Sequence, residues 1–271
     1  MKKAFYWGDT PPEKIEYHTR EIFERQDYEL LYPVKEGDVV VDIGACLGEF
    51  TWKIMDKASQ VYAIEPDTEK HEELDHNIGD VSNVEVIKKA FHHSTGTYRF
   101  PFSGGGGETY VSSYEGEEER LREWGVVVDT INFKDFIKEY NLDKIDFLRT
   151  SCQGGEYSLF RDENLHFLKN NVRNIVGKFY LQNHEQETEF RYFRDKFLKP
   201  HFPTHRVFSV PDVMDITWSL SKDQPYASVN QKGLRPFIEY YQVVHVYIEN
   251  ETFTKLKDKL NNLKPLPTIG A

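Results

Sequence analysis

Short apolar runs alternate with amphipathic stretches through the first 200 residues, the pattern of a parallel sheet covered by helices on both faces. Val39-Val40-Val41-Asp42-Ile43 predicts a buried strand, and residues 50–57 the helix after it. Val61-Tyr62-Ala63-Ile64-Glu65 predicts a second strand, stopped by Pro66, with a charged helix at 68–77. A third strand is expected at 84–90 and a short added one at 96–102. Strands at 126–129, 145–150 and 174–181 frame two helices, 133–140 and about 156–170; the first carries Phe133, Phe136, Ile137 and Tyr140 on one face. Beyond residue 181 the regularity changes. A helix at 185–198 precedes strands at 206–210 and 242–248, placed to form an antiparallel pair at one sheet edge, with an irregular aromatic stretch between them.

Composition narrows the class. The 271 residues suit one α/β domain with an extension: an N-terminal helical segment 1–36, a core 37–181 and a C-terminal part 182–271. No window nears the roughly 18 consecutive apolar residues of a membrane span, and Met1-Lys2-Lys3-Ala4-Phe5 begins no apolar signal region, so a cytoplasmic protein is expected. Cys46 and Cys152 are expected free, and no Cys or His spacing suggests a metal. A formal charge of −11 argues against nucleic acid and anionic membrane as partners and for a small or neutral substrate.

The strongest local signal runs from Glu36 to Phe50. A strand ends in Gly44 and Gly48, four apart, and enters a helix directly, so backbone approaches a ligand at the carboxyl edge of the sheet. Three-glycine dinucleotide and P-loop patterns are both absent, which points to a ligand without phosphate. Glu65, about 20 residues on, ends the next strand where an acid accepts hydrogen bonds from ribose hydroxyls. The plainer alternative is a tight strand-to-helix turn with Glu65 as a surface cap.

Val41-Asp42-Ile43-Gly44-Ala45-Cys46-Leu47-Gly48-Glu49-Phe50-Thr51, Ala63-Ile64-Glu65-Pro66, Ile145-Asp146-Phe147-Leu148-Arg149 and Gly154-Gly155-Glu156-Tyr157 resemble, in order and spacing, the FkbM family of methyltransferases. The resemblance covers 37–181. It implies a class I, Rossmann-like fold with a seven-stranded, mostly parallel sheet. It also implies S-adenosyl-L-methionine as cofactor, with Asp42, Gly44, Ala45 and Gly48 around its amino acid part and Glu65 on its ribose, and mostly O-methylation of sugars or natural products.

The match breaks where acceptor chemistry is expected. Members usually carry two carboxylates where this chain has Ser151 and Gln153, and an acid and a histidine where it has Lys178 and Tyr180. These four residues are expected near the transferred methyl group. Lys178 would turn the local field positive and favour an anionic substrate group. Either the four form a retuned acceptor pocket, with His92, His93, Tyr180 and Glu156 as candidate bases, or the fold has become a cofactor-binding, scaffold or regulatory module.

Other features read more plainly. His92 and His93, adjacent on an extended segment, are expected to point to opposite sides. Glu117-Glu118-Glu119-Arg120 reads as a solvated face. Gly104 to Gly107 reads as a lid or an ordinary loop. The aromatics Phe202, Phe208, Trp218, Tyr226, Phe237, Tyr240 and Tyr241 read as core and strand faces, or as a sugar-stacking platform.

Overall fold

The computed structural model describes residues 4–68, 70–103, 108–109, 125–181, 184–209 and 243–250. Gly104 to Gly107, residues 117–120, Trp218, Tyr226, Phe237, Tyr240 and Tyr241 lie outside them.

Ahead of the sheet come helix α1 (Pro12–His18), a π-helical turn (Thr19–Glu24) and a 3-10 turn (Asp27–Glu29). The main sheet then takes β1 (Val39–Ile43), β2 (Gln60–Ile64), β3 (Val84–Ile87), β8 (Ile145–Thr150), β9 (Val172–Tyr180), β10 (His205–Ser209) and β11 (Val243–Glu249). Their spatial order is β10-β11-β9-β8-β1-β2-β3. Pairing is parallel from β9 through β3, while β11 runs antiparallel to both β9 and β10. This is a seven-stranded, mostly parallel sheet with one antiparallel strand, as expected.

Helices α2 (Glu49–Ile54), α3 (His71–Ile78), α4 (Phe133–Glu139), α5 (Asp162–Asn170) and α6 (His184–Tyr192) connect and cover the strands. Side chains alternate between the faces of a strand. Val41, Ile43, Leu148, Ile175 and Phe179 therefore pack with α4, α5 and α6, whereas Val40, Phe147, Val176 and Tyr247 pack with α2 and with Ile22, Tyr28 and Leu31 of the N-terminal segment. Phe202 and Phe208, 0% and 2% exposed, are core residues. No helix of the described residues is long and apolar enough to cross a membrane.

Two expected elements are interrupted. The third strand stops at Ile87, where the Lys89 N–H folds back onto the Ile87 carbonyl at 3.0 Å, and Lys88 and Lys89 reach Asp75 and Glu139 at 2.7 and 2.9 Å. Ala90–Phe91 (β4) then joins a second sheet of order β4-β7-β5-β6 with β7 (Gly125–Ile131), β5 (Gly96–Ser103) and β6 (Glu108–Thr109). The expected helix 156–170 begins instead as a 3-10 turn (Gly155–Ser158), then breaks at Arg161, which is extended (φ −112°, ψ 155°).

Candidate functional site

Strands β1, β2, β8 and β9 end at one edge, where the turn after β1 is shaped by close packing. Gly44 has φ +84°, and a Cβ there would stand 2.3 Å from the carbonyl oxygen of Ser151, so this position requires glycine. The Gly44 and Ala45 N–H groups donate to Ile64 O at 2.9 and 3.0 Å, and Ser151 N–H donates to Ile43 O at 2.9 Å. Three strand ends are thereby tied together.

Glu65 is held from both sides. The Cys46 N–H donates to its Oε2 at 2.8 Å and the Asp67 N–H to its Oε1 at 3.0 Å. Each oxygen keeps a further lone pair, and Glu65 lines a cavity of about 700 Å³ at this edge. Gly44, Cys46, Ser151, Gln153, Lys178 and Tyr180 line the same cavity.

The sequence-predicted residues therefore separate into two groups. Gly44, Glu65, Ser151, Gln153, Lys178 and Tyr180 face one space. Asp42, Ala45 and Gly48 do not line it. Asp42 is fully buried beneath the turn, accepting from Thr51 Oγ1 at 2.8 Å and Arg149 Nη1 at 2.7 Å. Gly48, with φ +87°, caps the N-terminus of α2.

The candidate bases divide in the same way, with Tyr180 alone lining the cavity. His92, His93 and Glu156 do not line it. The two histidine rings do not point to opposite sides: their centroids are 3.9 Å apart, because the chain leaves extended geometry after β4. Burial and the neighbouring His93 hold His92 at about 4. Glu156, fully buried, accepts from Gly154 N–H at 2.8 Å and Tyr180 N–H at 2.9 Å, and burial pushes its carboxyl up to about 7. Burial also raises the Tyr180 phenol above its ordinary range.

Lys178 does not present a free positive charge. Its ammonium is ion-paired with Glu21 and donates to the Tyr17 hydroxyl at 3.1 Å, which in turn donates to Glu21 at 3.2 Å. Burial opposes the charge on Glu21, but Lys178 outweighs it and holds the carboxyl at about 2; Lys178 in turn is raised well above its ordinary value, since Glu21 overcomes its own burial. The expected positive field is cancelled at its source.

Tyr17, Glu21 and Tyr28, all in the cavity wall, were not singled out from sequence. The available signal is the i, i+4 spacing of Tyr17 and Glu21 in an otherwise solvent-rich segment. Glu21, Asp27 and His245 also bring ligand atoms within 4.8 Å of one another, a grouping sequence spacing does not reveal. Its carboxylates are already matched, Glu21 by Lys178 and Asp27 by Arg25 at 2.7 Å.

The chain is similar to a methyltransferase FkbM from Methylobacillus flagellatus KT, at 14% identity and a TM-score of 0.48. That match covers 85% of this chain and 47% of the other, so the chain spans about half the length of that relative. An Aquifex aeolicus SAM dependent methyltransferase matches at 15% identity and TM-score 0.42, covering 90% and 100% of the two chains. A Streptococcus thermophilus rRNA methylase matches at 12% and 0.42, covering 80% and 88%. No curated protein matches the chain. The model of the Methyltransferase FkbM domain matches residues 42–210, more than half of the chain, and the protein belongs to that family.

Proposed function

We propose that this protein transfers a methyl group from S-adenosyl-L-methionine to a hydroxyl of a small sugar, glycan or natural-product-like acceptor. The observation that carries this reading is the fixed Glu65 carboxylate facing the same cavity as the ends of β8 and β9. The residues fit a nucleoside cofactor: Glu65 has lone pairs left for two ribose hydroxyls, and Gly44 lets the turn after β1 pack against the Ser151 carbonyl at the cavity edge.

The cofactor supplies an electrophilic methyl group on a sulfonium. The protein's part is alignment, which is worth several kcal/mol when nucleophile and leaving group are held in line. Ser151 and Gln153 orient an acceptor by hydrogen bonding without taking its proton near neutral pH. Among the described residues the Gln153 side-chain oxygen is buried without a hydrogen-bond partner, an acceptor position beside the cavity.

Calorimetric titration of the wild type is expected to show cofactor binding that Glu65→Ala weakens at least tenfold, a loss of about 1.4 kcal/mol. A wild type that binds neither the cofactor nor S-adenosylhomocysteine removes the reading. Labelled cofactor with sugar, nucleotide-sugar and peptide acceptors then identifies the acceptor.

A further inference from the structure

We infer that the acceptor entering this cavity carries no anionic group at its reacting end, and that Glu21 of the N-terminal segment enforces this. The inference rests on the cavity being a methyltransferase acceptor site, and it adds the charge class of the substrate.

Glu21 precedes residues 42–210 and is contributed by the π-helical turn, outside the matched family domain. It is 2% exposed and meets Lys178, 5% exposed, at the end of β9. Lys178 is the strand-end residue whose charge would attract a phosphate or carboxylate. In this structure its ammonium faces the Glu21 carboxylate, the Tyr17 hydroxyl at 3.1 Å and the Tyr17 ring at 5.1 Å. An anionic substrate would have to displace a buried carboxylate and leave it without a counter-charge, which is strongly unfavourable.

The second cation near the strand ends is also committed. Arg149 donates to Asp42 and to the Gly44 carbonyl, both at 2.7 Å, and its guanidinium lies 4.3 Å from the Tyr28 ring centroid. The lining as a whole tips the balance further: among the described residues, seven carboxylates line the cavity against four lysine and arginine side chains. Asp9, Glu13 and Glu73 form no ion pair among the described residues, and one Glu73 oxygen is buried without a hydrogen-bond partner. The single net positive charge of the cofactor leaves this lining negative. A like-charged group is disfavoured as it approaches and as it docks. Neutral polyols and amine-bearing molecules fit; phosphate esters, uronic acids and nucleic acid do not.

The test uses the full chain, with orthophosphate and sulfate as probes, titrated calorimetrically at constant ionic strength with and without S-adenosylhomocysteine. The wild type is expected to show no saturable anion binding. Glu21→Gln, which unmasks Lys178, is expected to bind sulfate at least tenfold more tightly than the wild type, and Glu21→Gln with Lys178→Met to lose that gain. Saturable wild-type binding that Lys178→Met abolishes overturns the inference, as does a folded Glu21→Gln that gains nothing. Should Glu21→Gln fail to fold, the wild-type titration decides alone. Failure of S-adenosylhomocysteine to bind strikes the methyltransferase reading instead, and the anion titrations are still read without it.

Discussion

Arg149 and Asp42 face each other across neighbouring parallel strands, in register, with Nη1 donating to Oδ1 at 2.7 Å. The same nitrogen donates to the Gly44 carbonyl at 2.7 Å. One buried guanidinium thus joins the middle of the sheet to the turn that shapes the cavity. Removing one partner leaves the other charge buried and unmatched, typically a loss of 3–5 kcal/mol. Arg149→Met is expected to cost about 3 kcal/mol in urea denaturation. Adding Asp42→Asn should return a large part of it. Strictly additive single and double losses would show that the pair is not a unit.

Gly44→Ala tests the close approach of β1 and β8. The substituted residue must hold φ +84° and place its Cβ 2.3 Å from Ser151 O, so the turn shifts. Gly37 is the control, with φ +80° and nothing within 4 Å of an added Cβ. Gly37→Ala should cost about 1 kcal/mol, the strain of a left-handed alanine. Gly44→Ala should cost more and weaken S-adenosylhomocysteine at least tenfold by calorimetry. Equal effects of the two changes on both quantities would remove the packing argument.

Much of this was legible in the sequence where one local rule decides. Continuous apolar runs bounded by turn residues gave β1 and β8 to the residue, Val39–Ile43 and Ile145–Thr150. The pairing of β10 with β11 at the sheet edge followed from their position late in the chain. Local rules failed where a distant partner intervenes. The helix expected from residue 156 starts only at Asp162, after the extended Arg161, while Glu156 sits in a 3-10 turn with its carboxylate drawn down to the Gly154 and Tyr180 N–H groups. The charge of Lys178 was misread because its partner, Glu21, lies far upstream in a segment with no motif. Asp42 reads as a ligand-facing acid in a sequence pattern, yet its position opposite Arg149 draws it inward.

The Glu21, Asp27 and His245 group gives a prediction about metals. Both carboxylates are paired with cations, and burial with the nearby Lys178 holds His245 at about 3, so the histidine is neutral. Adding a divalent ion would require expelling Lys178 or Arg25 from its partner. Treatment with EDTA is therefore expected to leave thermal stability and methyl transfer unchanged, and zinc titration to give no stoichiometric heat at this site. Activity lost with EDTA and restored by magnesium, manganese or zinc would contradict the charge matching.

Glu156 sets a pH dependence that can be isolated. Burial raises its carboxyl from 4.5 to about 7, so between those values the native protein holds a proton that the unfolded chain has lost. Stability from this group is therefore present below about 4.5 and falls as pH rises through 7. His92 and His245 act in the opposite sense. Their folded values, about 4 and about 3, lie below the ordinary 6.5, so their contribution is complete above 6.5 and is lost on acidification. The wild-type curve mixes these slopes, and only a difference resolves Glu156. Replacing it by Gln keeps one acceptor for the Tyr180 or Gly154 N–H and removes the titration. The stability of the wild type relative to Glu156→Gln should fall by roughly 3 kcal/mol from pH 4.5 to 8, at about 1.4 kcal/mol per pH unit. The measurement is urea denaturation of both proteins across that range. Parallel curves would mean that Glu156 is already ionised in the folded protein, with the Gly154 and Tyr180 N–H groups outweighing its burial.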